Sequence, residues 1–94
     1  MTAKSETDFD ELYREILKLK SEKECEAFFT DLCTPGELLA MTQRVQAAKM
    51  LLEGETYAEI IEKTGISSAT LSRVSRCVQY GDGYKTVLSE KETN

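Results

Sequence analysis

The residues with the most chemistry to offer lie in one stretch, EKTGISSATLSRVSRC, from Glu62 to Cys77. Ser67, Ser68, Thr70 and Ser72 are small hydroxyl donors, Ala69 sits among them, and Arg73 and Arg76 follow with fixed positive charge. Together they can hydrogen-bond and neutralise phosphate, and Arg73 can reach the paired acceptors of a guanine edge. That chemistry needs a helix to carry it. Leu71, Val74 and Val78 recur at three- and four-residue steps and pin one face, which turns the hydroxyls and both arginines outward. Such a face fits a groove about 12 Å wide, with helix-start amides meeting phosphates as well.

The flanking residues are those required to position it. Thr56 caps a short helix, Tyr57 to about Lys63, whose Ile60 and Ile61 point inward. TGI then turns the chain, Gly65 taking the positive φ that a tight turn needs, and Ser67 caps the next helix. This is a helix-turn-helix pattern. Two helices joined through glycine also occur in all-α proteins that never meet DNA, and arginines also serve as solvated surface charge. The run SSATLSR shifts the balance, because a merely solvated face would carry Lys and Glu, whereas small residues suit close approach. Tyr57 either packs beneath the turn or offers its hydroxyl to a phosphate.

A formal net charge of -5, taken as a whole, opposes a nucleic-acid partner. Its distribution resolves the conflict. Residues 1 to 33 hold five bases and nine acids, residues 34 to 66 three and five, and residues 67 to 94 four and three. The outward face is therefore locally basic although the whole is acidic. With no histidine and carboxylates scattered over helix exteriors, neither a metal cluster nor a nucleophile and base pair presents itself, and no enzyme or cofactor is expected. Cys25, Cys33 and Cys77 are odd in number and lack CxxC spacing, so they read as small buried hydrophobes. No apolar run of membrane-spanning length and no secretion signal is present, so a cytoplasmic location is expected.

The remaining spacing is helical throughout. Phe9, Leu12, Tyr13, Ile16, Leu17 and Leu19 predict a helix from about Asp8 to Lys20, with Asp8 as N-cap. Cys25, Phe28, Phe29 and Leu32 predict a second. TPGE reads as a capping box, Thr34 with Glu37, with Pro35 at the first helical position. The long third helix carries Leu38, Leu39, Met41, Val45, Ala48, Leu51 and Leu52 on more than one face before Gly54 stops it. Burial on two sides suggests the central helix of an oligomer. Arg44, midway along it, reads as a surface or ion-pair residue.

From about residue 8 to 88, TPGELLAMTQRVQAAKMLLEGETYAEIIEKTGISSATLSR included, the chain resembles the Trp repressor family, and within it looks most like the YerC/YecD proteins. The shared features are the capped TP.E helix, the arginine-valine pair, the LL.GE ending and a recognition helix reading AT.[ST]R. The turn before that helix is one residue shorter here. The resemblance implies an all-α, intertwined homodimer, its first three helices and last one interlocked and two helix-turn-helix heads projecting. It also implies a ligand position between the third helix and the recognition helix, where Arg44 and Arg73 match the two arginines that hold tryptophan and Thr34 an assisting threonine. Val74 stands where the repressor has glycine. A β-branched side chain overfills that space, so this pocket is read as vestigial and tryptophan as no corepressor.

The expected layout is a single domain over residues 1–94: dimerisation helices at about 8–53, the helix-turn-helix at 56–80, a C-terminal helix at 82–90 and a tail at 91–94. The expected function is a homodimeric repressor binding a symmetric DNA operator through Thr56, Tyr57, Ser67, Ser68, Ala69, Thr70, Ser72, Arg73 and Arg76. Two alternatives stay open: a helical dimer acting through protein contacts alone, and an amino-acid-responsive repressor.

Overall fold

Residues 8–89 are described by a computed structural model. They form six helices and no strand: α1 Phe9–Ile16, α2 Glu22–Leu32, α3 Pro35–Leu52, α4 Tyr57–Thr64, α5 Ser68–Tyr80 and α6 Gly83–Leu88. The chain divides into two compact units between Thr34 and Pro35.

In the first unit the Asp8 carboxylate accepts from the Asp10 amide at 3.0 Å and starts α1 as expected. The helix ends at Ile16, four residues short of the Lys20 that apolar spacing suggests. Two local preferences explain the difference. The amides of Lys18 and Leu19 turn to the carbonyls three residues back, tightening the last turn. The Lys20 amide donates instead to Glu24 Oε1 at 2.8 Å, while Ser21 caps α2 through the Glu24 amide. Phe28 and Phe29 meet edge to face, ring centres 5.6 Å apart. Neither helix buries a residue: Phe9 is 58% and Leu17 81% exposed, and Leu12, Tyr13 and Leu32 are also open.

In the second unit α3 is the element against which α4, α5 and α6 all pack. It ends in a Schellman motif: Gly54, at φ 87°, donates to Leu51 O and the Glu55 amide reaches back to Met50 O. Ala47 and Ala48 of α3, Ile60 of α4, Ile66 of the turn, and Leu71, Val74 and Val78 of α5 form the buried core, with Met50, Leu51, Ile61, Tyr84 and Leu88 packed around it. The other apolar residues of α3 split. Leu39, Val45 and Leu52 stay exposed while the alanines vanish from solvent, so one face of α3 holds the core and another is uncovered within the chain.

Two further expectations need correction. The C-terminal helix spans Gly83–Leu88 rather than 82–90, because Asp82 makes no side-chain cap and Ser89 has turned to extended backbone; residue 90 and the tail lie outside the described residues. The cysteines are not core residues: Cys25 and Cys33 are half-buried and Cys77 is exposed. Cys25 does share the apolar spacing of Phe28, Phe29 and Leu32, but none of the four is buried within the chain.

Gly65 closes α4 at φ 76°, its amide bonded to Ile61 O at 2.9 Å. A side chain there would have room, its nearest neighbour being Gln43 Nε2 at 3.5 Å, so the cost of substitution is conformational. Gly65→Ala is expected to lower unfolding free energy by about 1–2 kcal/mol, read as a shifted urea midpoint with unchanged helix content.

Candidate functional site

The unit α4–turn–α5 is held by a chain of short polar contacts. At its start the Thr56 hydroxyl accepts from the Glu59 amide at 3.2 Å and Glu59 Oε1 accepts from the Thr56 amide at 2.9 Å, a complete capping box. The Glu59 half was legible as T-x-x-E and adds to the cap read from Thr56 alone. At the turn the Thr64 hydroxyl donates to Ile60 O at 2.8 Å and accepts from the Ile66 amide at 3.1 Å. Gln43 Nε2, from α3, donates to Thr64 O at 3.0 Å. Ser67 then caps α5 by accepting from the Thr70 amide at 3.1 Å.

Burial sorts the side chains of α5 as its spacing requires. Leu71, Val74 and Val78 face the core, with Val74 only 1% exposed beside the alanines of α3. Ser67, Ser68, Ala69, Ser72, Arg73 and Arg76 are exposed, as are Thr56 and Tyr57 before the turn. Tyr57 keeps 44% of its surface open to solvent. Thr70 is half-buried, and Ser67 donates to its hydroxyl at 2.9 Å, so the pair offers one hydroxyl proton outward rather than two. Ser75, on the inner side, is buried and accepts from Gln79 Nε2 at 3.2 Å.

Arg73 and Arg76 line one open cleft of about 430 Å³ with Cys77, Tyr80 and Gly81. Among the described residues neither arginine forms an ion pair, and no carboxylate occurs between residues 65 and 81. Their charge is thus available to a partner. Tyr80, 80% exposed, and Cys77 extend this line by one turn. Positions 73, 76, 77 and 80 carry the same three- and four-residue step as the core face, so the sequence did hold a signal for both.

Arg44 is half-buried on α3, Val74 is sealed into the core, and Thr34 is an exposed residue of the other unit. Among the described residues no cluster of His, Cys, Asp or Glu could hold a metal ion, and no helix is long and apolar enough to cross a membrane.

A tight two-helix turn carrying a polar, cationic outer helix on an all-α scaffold defines a helix-turn-helix protein. The chain matches the Trp repressor protein family over residues 7–92, and it belongs to that family. It is 49% identical to the uncharacterized protein YerC of Bacillus subtilis (strain 168), over 92% of this chain and 85% of that one. Its fold is similar to the crystal structure of a provisionally named Trp repressor from Staphylococcus aureus, with TM-score 0.82 and 48% identity over 85% of this chain and 81% of the other. A TrpR-like protein from Eubacterium eligens ATCC 27750 is similar too, with TM-score 0.80 and 51% identity over 83% and 81%. Membership of this family places the chain among regulators.

The capping box gives the site a pH signature. The Thr56 amide, and after it the Thr56 hydroxyl, holds the Glu59 carboxyl below its ordinary value of 4.5; beside it, hydrogen bonding and charge from Glu55 raise Lys63. A lowered carboxyl contributes stability above its unfolded pKa and loses it as pH falls through the folded one. The difference in urea midpoint between the native chain and Glu59→Gln is therefore expected to be full at neutral pH and to vanish under acid.

Proposed function

We propose that this protein is a cytoplasmic, homodimeric transcription repressor that binds a two-fold symmetric DNA operator through α5. The observation that carries the reading is the outer face of α5: small exposed residues at its N-terminal end, then Arg73 and Arg76, uncompensated by any acid. Small side chains let the helix start enter the major groove, where backbone amides and hydroxyls meet phosphates and Arg73 reads a guanine. Thr56 and Tyr57 contact the backbone beside it. The acidic residues 1 to 33 would be unfavourable against DNA and belong to the dimer body.

Dimerisation is supported by what the chain leaves open. Phe9, Leu12, Tyr13, Leu17 and Leu32 of the first unit, and Leu39, Val45 and Leu52 of α3, are large apolar side chains left open to solvent, the kind of surface that marks an interaction site. A second copy burying these faces is the economical solution, since a C2 interface uses the same patch twice.

Sedimentation at micromolar concentration is expected to give about twice the 10.6 kDa subunit mass, and a compact monomer would sink the intertwined arrangement. Footprinting should find half-sites about 34 to 36 Å apart, with binding that weakens steeply as salt rises. Arg73→Ala should cost about 1 to 3 kcal/mol and relax one base position. Ala69→Glu should be worse, because it brings an anion to the phosphate surface. If both variants shift a selected operator like the native chain, α5 is not the reading helix and a role through protein contacts takes its place.

L-tryptophan is not the corepressor in this reading. Arg44, Arg73 and Thr34 retain suitable chemical types, but Val74 occupies the α3–α5 seam to 1% exposure, and a ligand without differential affinity for two states cannot shift them. Operator affinity should be the same with and without millimolar tryptophan, and calorimetry should give no saturable heat. Val74→Gly is the control, expected to weaken the head and to gain indole binding. Tryptophan-dependent operator binding by the native protein would falsify this and establish the amino-acid sensor instead.

A further inference from the structure

The apolar seam between α3 and α5 fixes proximity better than it fixes angle. Its α3 side is Ala47 and Ala48, two small side chains with little relief, and hydrophobic contact is non-directional. Angle matters greatly to a groove-reading helix. The nine steps from Ser67 to Arg76 rise about 1.5 Å each, so a tilt of about 10° about the helix start moves the far end by roughly 2 Å, enough to break a bidentate base contact.

One polar contact supplies direction. Gln43 Nε2 donates to Thr64 O at 3.0 Å across 21 positions of sequence, with both residues half-buried. Thr64 O is among the last carbonyls of α4, which have no partner within their own helix, so Gln43 acts as a remote C-cap supplied by α3. The same Thr64 holds Ile66 through its hydroxyl, and Ile66 leads directly into the Ser67 cap of α5. Gln43 Nε2 would also lie 3.5 Å from a Cβ on Gly65, so the amide rests against the turn as well as bonding to it.

We propose that Gln43 is the positioning residue that aims the helix-turn-helix, setting the angle of α5 on α3 and with it the half-site spacing the dimer accepts. It does not touch DNA. The proposal rests on the DNA-binding reading above, and in a homodimer joined through α3 the angle of each head translates into the separation of the two recognition helices.

The test uses Gln43→Met, which keeps length and loses the donor, and Gln43→Glu, whose carboxylate cannot donate to Thr64 O but whose protonated form can. Both are measured as dimers against operators whose half-site separation is changed by one base pair either way. The native chain should show a sharp optimum. Gln43→Met should lose about five- to tenfold at that optimum, bind the off-spacing operators nearly as well, and keep native affinity for non-specific DNA. Gln43→Glu should behave likewise at pH 8 and regain the optimum, relative to the native chain at the same pH, once acid protonates it. A purely structural role would lower affinity for every DNA alike without touching spacing preference.

Native affinity and spacing in Gln43→Met would overturn the proposal, as would collapse of the fold in both variants, because the bond would then hold the domain together rather than aim it. If the native chain engages no DNA, the regulator reading has failed. Positioning is then judged from amide exchange: faster exchange at Gly65 to Ala69 in Gln43→Met, with the core of α3 unchanged, supports it, and uniform exchange overturns it.

Discussion

The constraint on which the second unit depends is the closeness of α3 and α5. Ala47 and Ala48 let the backbones approach, and Leu71, Val74 and Val78 fill what remains. Larger residues on α3 would push α5 away and open the space beneath the turn that Ile60 and Ile66 occupy. Everything outward follows from this seam. With one stripe of α5 committed to α3, helical geometry leaves the opposite stripe no choice but solvent, and that stripe holds the small residues and the two arginines. The core thus selects which residues can meet a partner.

The two units solve different problems. In the second, a set of seven buried apolar residues is closed by well-formed caps: the Thr56–Glu59 box, the Ser67 cap, and positive-φ glycines at the ends of α3 and α4. In the first, the helices are equally well capped, by Asp8 and Ser21, yet bury nothing. Good local signals with no core of their own are what an element looks like when its apolar face is meant for another surface. Charge follows the same division, with the acids concentrated before residue 34 and absent from residues 65 to 81. An acidic chain can therefore present a cationic face without contradiction.

Much of this was legible because it is local. Thr56, Gly65 and Ser67 announce their roles through residue type and spacing, and the three-four step of Leu71, Val74 and Val78 fixes the inner side of α5 without reference to anything else. The misreadings were of two kinds. The early end of α1 depends on a competition for one amide, which Glu24 wins four residues downstream, and periodicity cannot weigh that. The cysteines were misjudged because setting aside disulfide and zinc chemistry left burial as the default, and residue type does not show whether the same chain covers a given face. Gln43 belongs to neither kind: its partner lies 21 residues away, and in the sequence it is only a polar residue on a long helix.

A head fixed from within has a consequence for regulation. Where a recognition helix is loose, a ligand that wedges it into place can act as a switch, since it binds one arrangement better than the other. Here Val74 occupies the seam and Gln43 ties the turn; if this is the arrangement that meets DNA, as proposed, its contacts are already made. Little free energy would then be left for a small molecule to contribute at that point. Control would then enter elsewhere, and the helices of the first unit, which bury no residue, are the candidate. If a second copy covers them, the population of paired heads depends on protein concentration through mass action. Two weak half-site contacts become one strong one only after pairing, because the second engagement is intramolecular. Occupancy of an operator would then rise more steeply than linearly with the amount of chain, and the uncovered faces of α1, α2 and α3, rather than the cleft beside Arg73, would set the response.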